Sequence, residues 1–174
     1  IAVLIKLSSK GKIIFVQKRV GKNNKLFSCY KFRTMHQNSE LKLREILLKS
    51  PEINNEFKSF QKITKDPRIT HIGKFLRFAS LDELPQIFNV LKGDMSLVGP
   101  RPDVPAQIAD YEKKDWDERI SVLPGITGFS QVKFTNSNEE RTKNDLFYVK
   151  NISFKNDLKI LLMTIIKVLK MNSF

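Results

Sequence analysis

A chain of 174 residues is the size of one domain, able to bury roughly 70% of its unfolded surface, so its single cysteine, Cys29, reads as a structural thiol in a reducing compartment and excludes a disulfide framework. His36 and His71 lie in no metal-ligand spacing, which argues against a zinc site. The net charge is +13, carried by residues 1–80 with 18 Lys and Arg against 5 Asp and Glu, whereas residues 81–174 hold 13 of each.

Ile1–Ile5 is an apolar stub, and no window reaches the ~20 apolar residues of a spanning helix. Lys12–Gln17 is short and β-branched, as a strand is; Val20–Lys25 is a Gly/Asn turn, and Leu26–Phe32 completes a hairpin. Its turn and second strand carry Lys18, Arg19, Lys22, Lys25, Lys31 and Arg33, a basic ribbon. Ser39–Lys49 is an amphipathic helix stopped by Pro51, Glu52–Ile63 a weaker helix, and Asp66-Pro67 a turn. Thr70–Phe78 is a short helix, and Ser80–Leu91 is the next element, ended by Gly93. Val98–Pro105 holds three prolines and must be extended. Gln107–Leu123 reads as helical, Pro124–Gly128 as a turn into the apolar Phe129–Phe134, and Asn136–Asn144 as polar loop. In the amphipathic tail, residues 156–170, Lys155, Lys159, Lys167 and Lys170 fall within about 120° on a helical wheel, opposite Leu158, Ile160, Leu161, Ile165, Val168 and Leu169, with Met163 and Ile166 intruding on the lysine side. That pattern suits a helix in a membrane interface, and equally a helix packed on its own core.

The basic half calls for an anionic partner: nucleic acid, anionic lipid or a nucleotide. The chemistry concentrates in Ser80-Leu-Asp-Glu-Leu-Pro-Gln86, with Arg77 before it and Arg101, between two prolines, after it. Two adjacent acids framed by arginines suit phosphate chemistry: one acid attacks, the other holds a metal, and the arginines take the anionic oxygens. Were Ser80 the N-cap, Pro85 would fall at the fifth helical position, where it costs a hydrogen bond. With Asp82 as N-cap, Pro85 falls at N3, where its missing N–H was unpaired anyway. The second placement is favoured, and it predicts an Asp82 carboxylate kept ionised by the helix terminus. Asp as an ordinary cap is the plain alternative; Arg77, Arg101 and the basic hairpin weigh against it. Asp145, Asp157 and the Gly125–Gly128 turn are weaker candidates.

Four stretches together resemble the bacterial sugar transferases of the monotopic phosphoglycosyl transferase type: IIFVQKRVGKNNKLFSCYKFRTM, PRITHIGKFLRFASLDELPQIFNVLKGDMSLVGPRP, LPGITGFSQV and DLFYVKNISFKNDLKILLMTIIKVL. The resemblance covers nearly the whole chain. It implies transfer of a sugar-1-phosphate from a UDP-sugar to polyprenyl (undecaprenyl) phosphate at the cytoplasmic face of the bacterial inner membrane, initiating a surface polysaccharide or glycoconjugate. It makes Asp82 the nucleophile of a covalent aspartyl phosphosugar and Glu83 a ligand of Mg²⁺. It makes Arg77 and Arg101 phosphate-binding and Asp145 a further functional acid; Lys31, Arg33 and Lys133 are expected to add substrate contacts. Two departures stand out. The family begins with an apolar re-entrant membrane helix, of which residues 1–7 resemble the end. Many members follow Gln-Val with Gly-Arg-Asn, where this chain has Lys133-Phe-Thr-Asn136. The fold expected is α+β: one helix-rich domain, 1–174, with a small β-hairpin, resting on an anionic membrane surface. No nucleic-acid motif is present, and homo-oligomerisation is left open. The competing function is a catalytically idle relative that binds anionic lipid or polyanion through its basic half.

Overall fold

Alternation and the Asn-rich turn produce the expected hairpin in the computed structural model, which describes residues 1–60, 63, 66–133, 135 and 137–170. Strands β1 (Ile14–Val20) and β2 (Leu26–Phe32) pair antiparallel, from Ile14 opposite Phe32 to Val20 opposite Leu26. Asn23 and Asn24 take φ of 54° and 61° in the turn, a left-handed conformation that asparagine tolerates better than most residues.

Helices follow: α1 (Ala2–Ser8) before the hairpin, then α2 (Ser39–Lys49), α3 (Pro51–Phe60), α4 (His71–Phe78), α5 (Ile87–Leu91), α6 (Lys113–Arg119), α7 (Phe129–Val132), α8 (Asn138–Lys150) and α9 (Phe154–Leu169). Pro51 does not merely end α2. It opens α3 as its first residue, where a proline lacks nothing the helix needs. Thr70 caps α4, its hydroxyl accepting from Gly73 N at 2.8 Å. A Cβ on Gly73 would lie 2.0 Å from the Thr34 carbonyl oxygen, so α4 reaches the end of β2 only because that side chain is missing.

Four expectations change. A second, parallel pair of strands, β3 (Ser96–Val98) and β4 (Gly125–Thr127), joins the two halves of the chain. The stretch 138–144 is the start of α8 rather than loop: Ser137 Oγ accepts from Glu140 N at 3.1 Å, and Lys143 pairs with Glu139 one turn back. Gln107–Leu123 is not one helix but a 3-10 segment, Pro105–Asp110, a break at Tyr111–Glu112, and α6. The expected 80–91 element divides into a 3-10 turn over Leu81–Gln86 and then α5. Residues 61, 62, 134 and 136 of the expected elements lie outside the described residues.

Among the described residues, buried apolar side chains gather in three small clusters. Val20, Trp116 and Ile120 join β1 to α6; Phe27, Cys29 and Met95 lie under β2; Val98, Tyr148 and Ile160 join β3, α8 and α9. Much apolar surface stays outside them. Phe75 and Phe78 of α4, Leu84 of the 3-10 turn, Ile87, Phe88 and Leu91 of α5, and Leu158, Leu162, Ile165, Ile166 and Leu169 of α9 are all exposed. Among the described residues no helix is long and apolar enough to cross a membrane.

Candidate active site

The site forms where β2, the 3-10 turn and the Pro100–Asp103 loop meet. Helix α4 ends at Ala79, and Ser80 reverses the chain with φ 54°. The N-cap is therefore Ser80, not Asp82, and Ser80 makes no side-chain cap bond. The proline conflict is resolved by geometry: the chain winds a tight 3-10 turn through Pro85 and resumes α-helix only at Ile87. Asp82 and Glu83 sit in the first turn, facing the hairpin.

Glu83 Oε1 lies 2.6 Å from Lys31 Nζ and 3.5 Å from Arg101 Nη1. Burial alone would raise its pKa, but Arg101 and Lys31 outweigh burial and hold the carboxyl below its usual range. Asp82 is only 9% exposed and has no ion-pair partner among the described residues, its carboxylate accepting only from its own backbone N–H. Burial raises its pKa, Lys31 and Arg77 opposing and Glu83 adding to the rise. The expected downward shift is therefore reversed, because Asp82 does not cap a helix and desolvation dominates. Two neighbouring carboxyls thus have affinities for protons pushed in opposite directions, an arrangement that separates chemical roles.

Arg19, Lys31 and Arg101 line one cleft with Glu83, Cys29 and Gln86. Gly125 and Ile126 close another wall. Arg77 stands beside the dyad, its Nε donating to Thr34 Oγ1 at 2.9 Å, and burial lowers its pKa. The cleft thus gathers three cations around one carboxylate, with Asp82 adjacent, which suits a polyanion such as a diphosphate. Among the described residues no group of three or more His, Cys, Asp or Glu could hold a metal on protein ligands alone. The Cys29 thiol is buried, and burial raises its pKa, as befits a structural thiol.

Three expected site residues stand elsewhere. Arg33 donates to the carbonyls of Ser9, at 2.8 Å, and Lys10, fastening the end of α1 to the hairpin. Lys133 lies over the Phe129 ring, 5.2 Å from its centroid, in a second groove between α7, α8 and α9. Asp145 is 1% exposed and paired with Arg119 and Ser130. Conversely, Arg19 was not singled out from the basic ribbon. Strand parity identifies it: Arg19 opposes Phe27, and Gln17 opposes Cys29, so Arg19 shares the face that carries Cys29 and Lys31.

The chain matches the family model described as bacterial sugar transferase over residues 1–171. It is 48% identical over 161 residues to an uncharacterized sugar transferase of Haemophilus influenzae, covering 91% of this chain and 34% of that protein. It is 47% identical over 162 residues to undecaprenyl-phosphate galactose phosphotransferase of Salmonella typhimurium, covering 92% and 34%. It is 39% identical over 164 residues to exopolysaccharide production protein ExoY of Sinorhizobium fredii, covering 93% and 72%. The chain thus spans about a third of the length of the first two relatives and most of the third. Matched by that family model over residues 1–171, almost its entire length, the chain belongs to the bacterial sugar transferase family.

Proposed function

We propose that this chain transfers a sugar-1-phosphate from a UDP-sugar to polyprenyl phosphate, with Asp82 as the nucleophile. The observation that carries the proposal is the dyad: a buried Asp82 with no ion-pair partner among the described residues, beside a Glu83 that gathers Lys31 and Arg101. An Asp82 carboxylate oxygen attacks the sugar-bearing phosphorus. That bond forms as the bond from phosphorus to the bridging oxygen breaks, and UMP leaves. A polyprenyl phosphate oxygen then attacks the same phosphorus and returns Asp82 to its carboxylate. A covalent step lets a soluble and a lipidic substrate use one site in turn. Lys31, Arg101, Arg19 and Arg77 bind the phosphate oxygens and offset the repulsion between two anions. The names of relatives support the substrates, several being undecaprenyl-phosphate sugar phosphotransferases.

Mg²⁺ fits the donor set. This ion is usually bound by one or two carboxylates, with substrate phosphates and water completing its shell. Glu83, which Lys31 and Arg101 meet at Oε1, and the adjacent Asp82 are the carboxylates that would hold it. Bound there with substrate, Mg²⁺ would neutralise charge on the diphosphate.

By this proposal the reaction takes place at a bilayer surface, on the cytoplasmic side; the exposed apolar residues support the surface. Leu84 and Ile87 follow the dyad within one turn and are exposed, and α4 and α5, which pack on the 3-10 turn, carry exposed Phe75, Phe78, Phe88 and Leu91. Exposed apolar side chains on the elements beside a cationic cleft suit insertion into headgroups, with the lipid phosphate at the cleft.

Intact-protein mass spectrometry tests the proposal. The full chain in membrane lipid is incubated with Mg²⁺ and a panel of UDP-sugars without acceptor, alongside Asp82→Asn. Wild type should gain one sugar-phosphate and Asp82→Asn none. No adduct with any donor, in protein that still binds UDP, would sink the covalent mechanism and leave the anion-binding module standing.

A further inference from the structure

Arg101 enters the cleft on a loop that belongs to no helix or strand, yet every carbonyl of Pro100–Asp103 accepts a hydrogen bond. Gly125 N donates to Pro100 O at 2.9 Å and Val20 N to Asp103 O at 2.9 Å. Arg119 Nη2 donates to Arg101 O at 2.6 Å, and Arg19 Nη1 to Pro102 O at 2.8 Å. Two prolines fix φ within the same four residues. The loop is a strut, and its setting determines where the Arg101 guanidinium points.

Arg119 grips this strut twice. Besides the Arg101 carbonyl, it holds the Asp103 carboxylate, Nη1 to Oδ2, at 2.9 Å. Its third side is occupied as well, Nε donating to Asp145 Oδ2 at 2.9 Å. Asp145 is oriented in turn by Ser130 Oγ at 2.5 Å. Asp103 also takes Tyr111 Oη at 2.6 Å and Arg141 Nη2 at 3.1 Å. Two arginines and two aspartates balance in charge, so the buried network holds together despite its desolvation. A planar guanidinium can serve three acceptors in three directions; a lysine ammonium on one flexible stem cannot reproduce that fork.

We infer that Arg119 is a positioning residue for the transfer reaction and that Asp145 acts through it, the pair setting the Arg101 backbone so that its guanidinium meets Glu83 and the substrate phosphate. Asp145 thereby affects the site without touching substrate.

The inference rests on the transfer reaction proposed above, so its test has a readout without turnover. A double-mutant cycle uses the full chain in lipid nanodiscs: Arg119→Lys, Arg101→Ala and the pair. Each is read as UMP release and as calorimetric affinity for pyrophosphate. Arg119→Lys should lower both by about tenfold in the wild-type background and by less than about twofold once Arg101 is alanine, the signature of coupled sites. Equal losses in both backgrounds overturn the inference, because a merely structural role is additive. Should Arg119→Lys fail to fold, Asp145→Asn takes its place in the cycle and must lose its effect in the same way. Coupling in pyrophosphate affinity without UMP release would uphold the positioning role while sinking the transfer reaction. A wild-type cleft with no measurable pyrophosphate affinity overturns the phosphate role of Arg101, and the inference with it.

Discussion

Asn89 is wholly buried and acts as a substitute strand for the open edge of the hairpin. Its Oδ1 accepts from Tyr30 N at 3.1 Å and its Nδ2 donates to Ser28 O at 2.8 Å. The β2 backbone is thereby fixed to α5, and with it Cys29 and Lys31 of the cleft. Asn89→Ala removes both bonds and leaves a backbone N–H and a C=O in a partly buried place without partners. At about 1 kcal/mol for each bond, plus the desolvation left uncompensated, the cost is about 3 kcal/mol. For a chain of this size that lowers the melting temperature by roughly 6–12 °C. Thermal unfolding by circular dichroism measures the loss, and hydrogen exchange at the Tyr30 amide locates it. A melting temperature within about 2 °C of wild type, with that amide still protected, would refute the role given to Asn89.

Two further perturbations probe the surfaces around the site. Leu162→Glu with Ile166→Glu changes exposed side chains of α9; binding to vesicles of anionic phospholipid should fall at least tenfold, roughly the loss expected when two apolar side chains no longer enter the interface, with melting unchanged. Full retention of vesicle binding would remove α9 from the membrane face. Gly73→Ala places a Cβ against the Thr34 carbonyl, so α4 must move from β2, at a cost of about 1–3 kcal/mol. Transfer activity should drop further than that loss of stability implies, since Arg77 loses Thr34; unchanged activity would show that Arg77 needs no such support.

How far the chain could be read from its letters depended on how local each cause was. Leu26–Phe32 was legible to the residue because the Asn turn and the following aromatic run agree. The grouping of Asp82 and Glu83 with Arg77 rests on neighbouring letters, whereas Arg101 comes to Glu83 through the fold. The setting of Asp82 was not legible, since the choice was framed between two α-helices and the chain takes a 3-10 turn. The 136–144 stretch read as loop through its polarity, although Ser137 with Glu140 three residues on is a helix-start signal. Strands β3 and β4 have three residues each, too few for any period to show. The network around Arg119 was beyond reach for another reason: Arg119 and Asp145 lie 26 residues apart on separate helices, and only the packing of α6 on α8 brings them together.

The two acids of the dyad should answer to pH with opposite signs. Asp82 has a folded pKa above its unfolded value of 3.8, chiefly through burial. Its ionisation therefore costs stability, and the cost appears as pH rises from the unfolded value through the folded one. Glu83 is the reverse. Burial would raise it, but Arg101 and Lys31 hold it below its unfolded value of 4.5. Its stabilising contribution is full above the unfolded pKa and is lost as pH falls through the folded one. At neutral pH, Asp82→Asn should therefore melt above wild type and Glu83→Gln below it, and both differences should shrink as the pH is lowered towards the carboxylate range. Melting differences of the same sign at neutral pH would refute this division. If the signs do oppose, the protein keeps at position 82 a carboxylate that weakens its own fold. Glu83, one residue on, is tied to Lys31 and Arg101, and that division is the one the proposed attack by Asp82 on phosphorus requires.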